Sequence, residues 1–259
     1  GFLFSKKAAI RSRSAAPACS AIVWSTYYGG NSSDVAYDIC TDANGQPYVV
    51  GMTDSPDLPQ AQFGWDKTYN GGTDGFAFHL WGNGSLFYST YLGGSALDSA
   101  TSCSLHGLYY LVVAGYTHSS NFPTSTGAHD TTYNGNVDAF VVMMNPYGQA
   151  ALYSTYLGGS QADRAFGVFA DAQGHAYVTG QTSSTDLPVT SGAFQTSLGS
   201  PYMDAFAAKL SPQGSSLAYC TYIGGNMSDT GYDMAVNATG AAHIAGSTQS
   251  QGFPVTSDA

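Results

Sequence analysis

The chain has 259 residues, 14% of them aromatic and only 9% charged, with 32 glycines, which excludes a disordered polymer and suits one all-β domain with a real core. All 17 acidic residues are aspartate, so glutamate-dependent chemistry such as the H-E-x-x-H metalloprotease helix is excluded as well. Lys6, Lys7, Arg11 and Arg13 are four of the seven basic residues; the rest of the chain sets three bases against 17 Asp, a balance of −14 that excludes a broad nucleic-acid surface.

In chain order, Phe2–Lys7 is expected to form a strand that resembles Phe206–Leu210, and residues 8–19 to form a long linker. Ser20–Tyr28 is the next strand, and its end, Trp24-Ser25-Thr26-Tyr27-Tyr28-Gly29-Gly30, opens a repeat. The segment returns at Tyr88, Tyr153 and Tyr219, so the periods are 64, 65 and 66 residues. Such a period marks a repeat architecture whose units bury their apolar faces only against neighbours. The first unit predicts four strands, a to d, at Ala36–Cys40, Tyr48–Thr53, Asp74–Leu80 and Leu86–Leu92. The second predicts Ala100–Ser104, Tyr109–Thr117, Asp138–Met144 and Leu152–Leu157. In the third, Ala165–Ala170 and His175–Gln181 flank the turn Asp171-Ala172-Gln173-Gly174, and Asp204–Leu210 and Leu217–Ile223 follow an irregular insertion. The fourth predicts only Asp233–Val236 and Ala242–Ser247, and the sequence stops inside its insertion, after Phe253-Pro254.

Four antiparallel strands per repeat is the content of a propeller blade. The expectation is an all-β, propeller-like domain over residues 20–259 preceded by a basic arm over residues 1–19. N-terminal c and d strands would complete the fourth blade, either of their own chain or of a neighbour. No run approaches the ~20 apolar residues of a membrane helix, and Gly1–Phe4 is too short for a leader.

The motifs Tyr153–Gly159, Asp163–Ala165, Asp171–Thr182 and Asp204–Phe206, with an F-P-x-T element, resemble the bacterial SBBP β-propeller repeat family. The resemblance covers most of the chain from about residue 20 onward, and the segment Lys6–Ala18 departs from it. It implies a propeller of the kind found in large secreted or surface proteins, with no common catalytic site.

One face of such blades would carry the Gly-Gly loops with Asp34, Asp98, Asp163 and Asp229, and the insertions ending at Asp74, Asp138 and Asp204. These aspartates could ligate calcium or accept backbone N–H groups in Asx turns; no D-x-D-x-D-G loop is present. Tyr27, Tyr91, Tyr156 and Tyr222 recur within strands and read as blade core, whereas Tyr69 and Tyr133 lie in insertions as exposed contacts for a sugar. The six histidines, His79, His106, His118, His129, His175 and His243, share no ligand spacing. Cys19, Cys40, Cys103 and Cys220 match no metal pattern; Cys40 and Cys103 occupy nearly equivalent places in successive repeats, but the pairing is open. Sequons for glycosylation begin at Asn31, Asn83, Asn226 and Asn237.

The functional expectation is a non-enzymatic extracellular or cell-surface subunit of a head-to-tail fibre, without a cofactor. Phe2, Leu3, Phe4, Lys6, Lys7, Arg11 and Arg13 would carry assembly. The competing expectation is a monomeric secreted propeller that binds glycans or a protein through its insertion face.

Overall fold

The computed structural model describes residues 8–13, 22–199 and 201–256. Among them are sixteen antiparallel strands and no helix. Three four-stranded sheets, arranged as blades, form the body. Blade 1 is β3 (Asp34–Thr41), β4 (Pro47–Thr53), β5 (Asp74–Leu80) and β6 (Leu86–Leu92). Blade 2 is β7 (Asp98–His106), β8 (Tyr110–Thr117), β9 (Asp138–Met144) and β10 (Ala151–Leu157), and blade 3 is β11 (Asp163–Ala170), β12 (Ala176–Thr182), β13 (Asp204–Leu210) and β14 (Leu217–Ile223). A two-stranded sheet flanks the blades on either side in sequence: β1 (Ala8–Arg13) with β2 (Ile22–Tyr28), and β15 (Asp229–Val236) with β16 (Ala242–Thr248).

The sequence period creates these blades strand by strand. Three of the a→b turns close on an aspartate or asparagine and a glycine, Asp42 with Gly45, Asp171 with Gly174 and Asn237 with Gly240: Gly174 N donates to Asp171 O at 3.0 Å with Gly174 at φ 89°, a backbone state that glycine adopts without steric cost. Each a strand carries a bulge at the same place, between Ala36 and Asp38, Ala100 and Ser102, Ala165 and Gly167, and Gly231 and Asp233. Each b strand presents a glycine opposite a c-strand phenylalanine: Gly51 to Phe76, Gly115 to Phe140, Gly180 to Phe206. A Cβ on Gly115 would lie 2.0 Å from Ser99 O and 2.7 Å from Phe140 Cζ, so the ring occupies the place of that missing side chain.

Blades stack face to face, and their cores lie between them. Val113, Phe140 and Tyr156 of blade 2 join Tyr48, Tyr88 and Leu92 of blade 1 in one cluster, and Val112, Val141 and Tyr153 join Val178, Phe206 and Tyr222 in the next. Burying rows of such side chains, about 1.5–3 kcal/mol each, is what offsets the conformational entropy of ordering so much strand.

Two sequence expectations change here. The N-terminal strand is Ala8–Arg13, inside the expected linker, and pairs from Ala8↔Tyr28 to Arg13↔Ile22. That pairing gives partners to backbone N–H and C=O groups that an unpaired linker would leave without them. Phe2–Lys7, the strand expected there, lies outside the described residues. The a strands also begin earlier than expected, at Asp34, Asp98, Asp163 and Asp229, because the aspartates themselves start the ladders.

Candidate functional site: two half-blades with unmet partners

A single tyrosine organises the outer edge of each complete blade. The hydroxyl of Tyr91 on β6 donates to Ser55 O at 2.9 Å and accepts Leu58 N at 3.1 Å, both in the b→c insertion of its own blade. Tyr222 repeats this with Ser184 O at 2.7 Å and Leu187 N at 3.0 Å, and Tyr156 donates to Ser119 O at 2.9 Å. The insertion then runs back along the d strand and bonds its free edge: Tyr91 N to Asp66 O, Tyr156 N to Asp130 O and Tyr222 N to Gln195 O. An edge strand that could template foreign pairing is thereby covered within the blade. Three tyrosines are thus fully enclosed, at 0–1% exposure.

The fourth copy, Tyr27 on β2, is 70% exposed. This corrects the reading of all four as blade core. Its strand nevertheless occupies a d-strand position. Tyr28 stacks on Phe78 with ring centres 3.8 Å apart and its hydroxyl meets Ser89 Oγ. Trp24 lies against Gly84 in the c→d turn of blade 1, as Tyr88 lies against Gly148 of blade 2 and Tyr153 against Gly214 of blade 3. Trp24 Nε1 also donates to Gly82 O at 2.8 Å. So β2 is seated on blade 1 as each d strand is seated on the blade that follows it, but among the described residues no insertion covers it.

The complementary lack is at β15 and β16. Strand b is buried in the complete blades, whereas β16 is mostly exposed and its outer edge has no partner among the described residues. Gly246 stands where Gly51, Gly115 and Gly180 stand, with Thr230 O 2.1 Å from a would-be Cβ, but no phenylalanine faces it. A cleft of about 330 Å³ lies there instead, lined by Ala205, Ile223, Gly231, Ile244, Gly246 and Phe253. In this repeat Ser250 and Phe253 take the places of the Ser184 and Leu187 that Tyr222 clamps. The clamp is legible as a spacing, Ser-x-x-Leu/Phe with the Tyr of a Thr-Tyr pair 36 to 38 residues after the serine.

The repeated aspartates are loop fasteners. Asp34, Asp98, Asp163 and Asp229 are buried and accept the second glycine N–H of the preceding loop: Gly30 at 2.9 Å, Gly94 at 2.7 Å, Gly159 at 2.7 Å and Gly225 at 2.8 Å. A serine hydroxyl from the following insertion meets the same carboxylate, at 2.8 Å from Ser119, 2.7 Å from Ser184 and 2.8 Å from Ser250. The second set begins the c strands: Asp74 accepts Asn70 N at 2.9 Å, Asp138 accepts Asn134 N at 2.8 Å and Asp204 accepts Gly199 N at 2.8 Å. Burial pushes Asp74 up to about 7 and Asp138 up to about 6, with Asp98 and Asp163 across the blade junction adding repulsion. Among the described residues no group of three or more His, Cys or Asp side chains could hold a metal ion. The donors aimed at these carboxylates reach one oxygen of Asp74, Asp204 and Asp229; the other, Oδ1, is buried without a hydrogen-bond partner among the described residues.

Other sequence-predicted residues scatter. Tyr69 and Tyr133 are half-buried, packed on Tyr91 and Tyr156 at 5.9 and 6.0 Å, so they brace the clamp and are not open platforms. His79 is buried and stacked on Tyr48 at 4.0 Å, and burial pulls it down to about 4. Asn31, Asn83, Asn226 and Asn237 are all exposed; Asn83 and Asn237 also close turns, accepting Ser85 N and Thr239 N at 3.0 Å. Arg11 and Arg13 fall on β1; Phe2, Leu3, Phe4, Lys6, Lys7 and Cys19 lie outside the described residues. Among the described residues no helix is long and apolar enough to cross a membrane. On the insertion face, His129, Asp130, Asn134, Ser160 and Asp186 line a polar cleft of about 400 Å³.

A search of the curated proteins finds no match to this chain. Residues 152–188, which run from β10 through the Asp163 loop and the β11–β12 hairpin into the insertion, match the family model described as SBBP, beta-propeller repeat.

Proposed function

We propose that the protein is a non-enzymatic, extracellular structural subunit in which the β1–β2 hairpin of one copy completes the β15–β16 half-blade of the next. The observation that carries this reading is the pair of matching lacks. Tyr27 is exposed on a strand seated as a d strand, and β16, Gly246 and the Ser250–Phe253 loop lack the c strand, aromatic ring and tyrosine that every complete blade supplies. Strand addition satisfies an open sheet edge, and a head-to-tail contact that does not close propagates as a filament. The acidic body and the basic segment Lys6–Arg13 are complementary across such a contact. That the aspartates recur as loop fasteners supports a scaffold in preference to a single reactive centre.

The test is electron microscopy of the full chain beside a chain lacking residues 1–18. Filaments from the first that are absent from the second are the expected result. Single particles of one mass at every concentration, from both chains, overturn the filament. The polar cleft around His129 and Asp186 favours the second reading, a glycan-binding propeller, and an oligosaccharide array on that single-particle form tests it.

A further inference from the structure

Two of the cysteines stand apart from the rest of the repeat pattern. At the junction of blades 2 and 3 the a strands are tied by hydroxyls: Ser102 Oγ accepts Val168 N at 3.2 Å and Ser104 Oγ accepts Ala170 N at 3.0 Å. At the junction of blades 1 and 2 the position corresponding to Ser102 is Asp38, whose Oδ2 accepts Cys103 N at 2.9 Å and Ser102 Oγ at 3.0 Å. The position corresponding to Ser104 is Cys40, and there the hydroxyl tie is replaced by sulfur: Cys103 Sγ lies 2.9 Å from Cys40 Sγ. That is inside the ~3.5–4.0 Å at which even carbon atoms rest in contact, and under ~1 Å from bonding distance. Both residues are on ordered strands, β3 and β7, that touch along their length.

We propose that Cys40 and Cys103 form a disulfide that staples blade 1 to blade 2. The oxidant is a low-molecular-weight disulfide such as oxidised glutathione. Cys40, half-buried, gives up its proton, and its sulfur attacks one sulfur of that disulfide. The oxidant's S–S bond breaks, and one glutathione thiolate leaves and takes a proton. Cys103 then loses its proton and attacks Cys40 Sγ in the mixed disulfide, expelling the second glutathione thiolate, which is protonated in turn. Two cysteine thiols are oxidised by two electrons and one glutathione disulfide is reduced to two thiols. Cys40 is the sulfur that meets the oxidant because Cys103 is buried at 6% exposure; the neighbouring Cys40 thiol and burial also push the Cys103 thiol well above its ordinary range. Cys220, enclosed in blade 3 at 0% exposure, has no sulfur neighbour among the described residues and stays a thiol.

The staple closes a loop whose ends are 63 residues apart, which restricts the unfolded chain and not the folded one. The test uses the full chain, reduced and then equilibrated with oxidised glutathione, with remaining thiols alkylated under denaturing conditions and peptides mapped by mass spectrometry. The expected result is a Cys40–Cys103 linked peptide with Cys220 alkylated, and a thermal midpoint roughly 10 °C higher oxidised than reduced. In Cys40→Ser and Cys103→Ser the rise disappears. A map that joins Cys40 to Cys19, two alkylated thiols at positions 40 and 103, or a wild-type midpoint indifferent to oxidation would each overturn the staple. The wild-type map needs no variant to fold.

Discussion

Replacing Tyr222 and Tyr27 by phenylalanine, one at a time, separates a tyrosine already engaged in its blade from one still waiting for a blade. Tyr222→Phe keeps the ring and removes a buried hydroxyl that both donates to Ser184 O at 2.7 Å and accepts Leu187 N at 3.0 Å. Each backbone group then loses its partner inside a closed core, at about 1–3 kcal/mol apiece with some relaxation, so about 2–4 kcal/mol in all. For a domain of this size each kcal/mol lowers the thermal midpoint by about 2–4 °C, which puts the loss at roughly 5–15 °C. Tyr27→Phe removes a chemically identical hydroxyl from a side chain that is 70% exposed. In the dissociated chain it is expected to change the midpoint by less than ~2 °C.

The same change is expected to weaken end-to-end association, because the Ser250 carbonyl and Phe253 N–H of the neighbour would go unclamped; 1.4–2.8 kcal/mol corresponds to about a tenfold to hundredfold rise in the dissociation constant. Differential scanning calorimetry at low concentration and sedimentation velocity across a concentration series read the two effects separately. If Tyr27→Phe destabilises the chain as much as Tyr222→Phe at every concentration, the hairpin closes its own ring and intermolecular strand addition is wrong. If neither stability nor association responds, the inferred equivalence of β2 to a d strand is wrong.

Three further outcomes are expected. Asp74 and Asp138 have folded values of about 7 and 6, raised by burial above the ordinary 3.8, so their contribution to stability is full below about pH 4 and is lost as pH rises through 6 to 7. The midpoint should therefore fall between pH 5 and pH 8 and fall less in Asp74→Asn; a wild-type midpoint that rises over that window contradicts the assignment. Gly115→Ala forces a methyl to within 2.0 Å of Ser99 O and 2.7 Å of Phe140, and should cost about 3 kcal/mol or more by urea unfolding, against about 1 kcal/mol for Gly45→Ala, where only the φ of 74° opposes the side chain. Asp163→Ala strips the acceptor from Gly159 N and Ser184 Oγ, and hydrogen exchange at Gly159 should accelerate at least tenfold while amides in β8 and β9 keep their protection.

The c and d strands were legible to within a residue because their signal is local: Asp-x-Phe opens the c strand, and an alternating aromatic and hydroxyl run ending at Gly-Gly is the d strand. The a strands were read as starting late, since Asp34 or Asp163 in isolation looks like loop chemistry; that the carboxylate begins a ladder while fastening Gly30 or Gly159 is a tertiary fact. The strand within the expected linker is missed for a related reason. Phe2–Lys7 carries the stronger apolar pattern and lies outside the described residues, whereas Ala8–Arg13, with little such pattern, fills the ladder of β2. Tyr27 was indistinguishable by sequence from Tyr91, Tyr156 and Tyr222, because burial depends on which insertion is present to cover the strand, and that insertion belongs to another repeat.

The repeat therefore distributes each blade's stability across two sequence repeats. A d strand, the Gly-Gly loop after it, the next inner strand with its fastening aspartate and the serine that meets the same carboxylate come from one period, but the d strand completes the blade before: Gly159, Asp163 and Ser184 meet in this way at the junction of blades 2 and 3. Such staggering makes every junction depend on both neighbours, so any strand left without its counterpart exposes a specific set of unmet groups. At β2 these are a tyrosine hydroxyl and an uncovered d-strand edge; at β16 they are a backbone edge and an aromatic socket over Gly246. A surface that is complementary to the opposite end of an identical molecule is the minimum requirement for linear assembly. In the assembly proposed above, the stagger of the repeat supplies that surface. At the first junction Asp38 and Cys40 stand where the second has Ser102 and Ser104, and the proposed Cys40–Cys103 staple strengthens the blade pair on which the β1–β2 hairpin is seated.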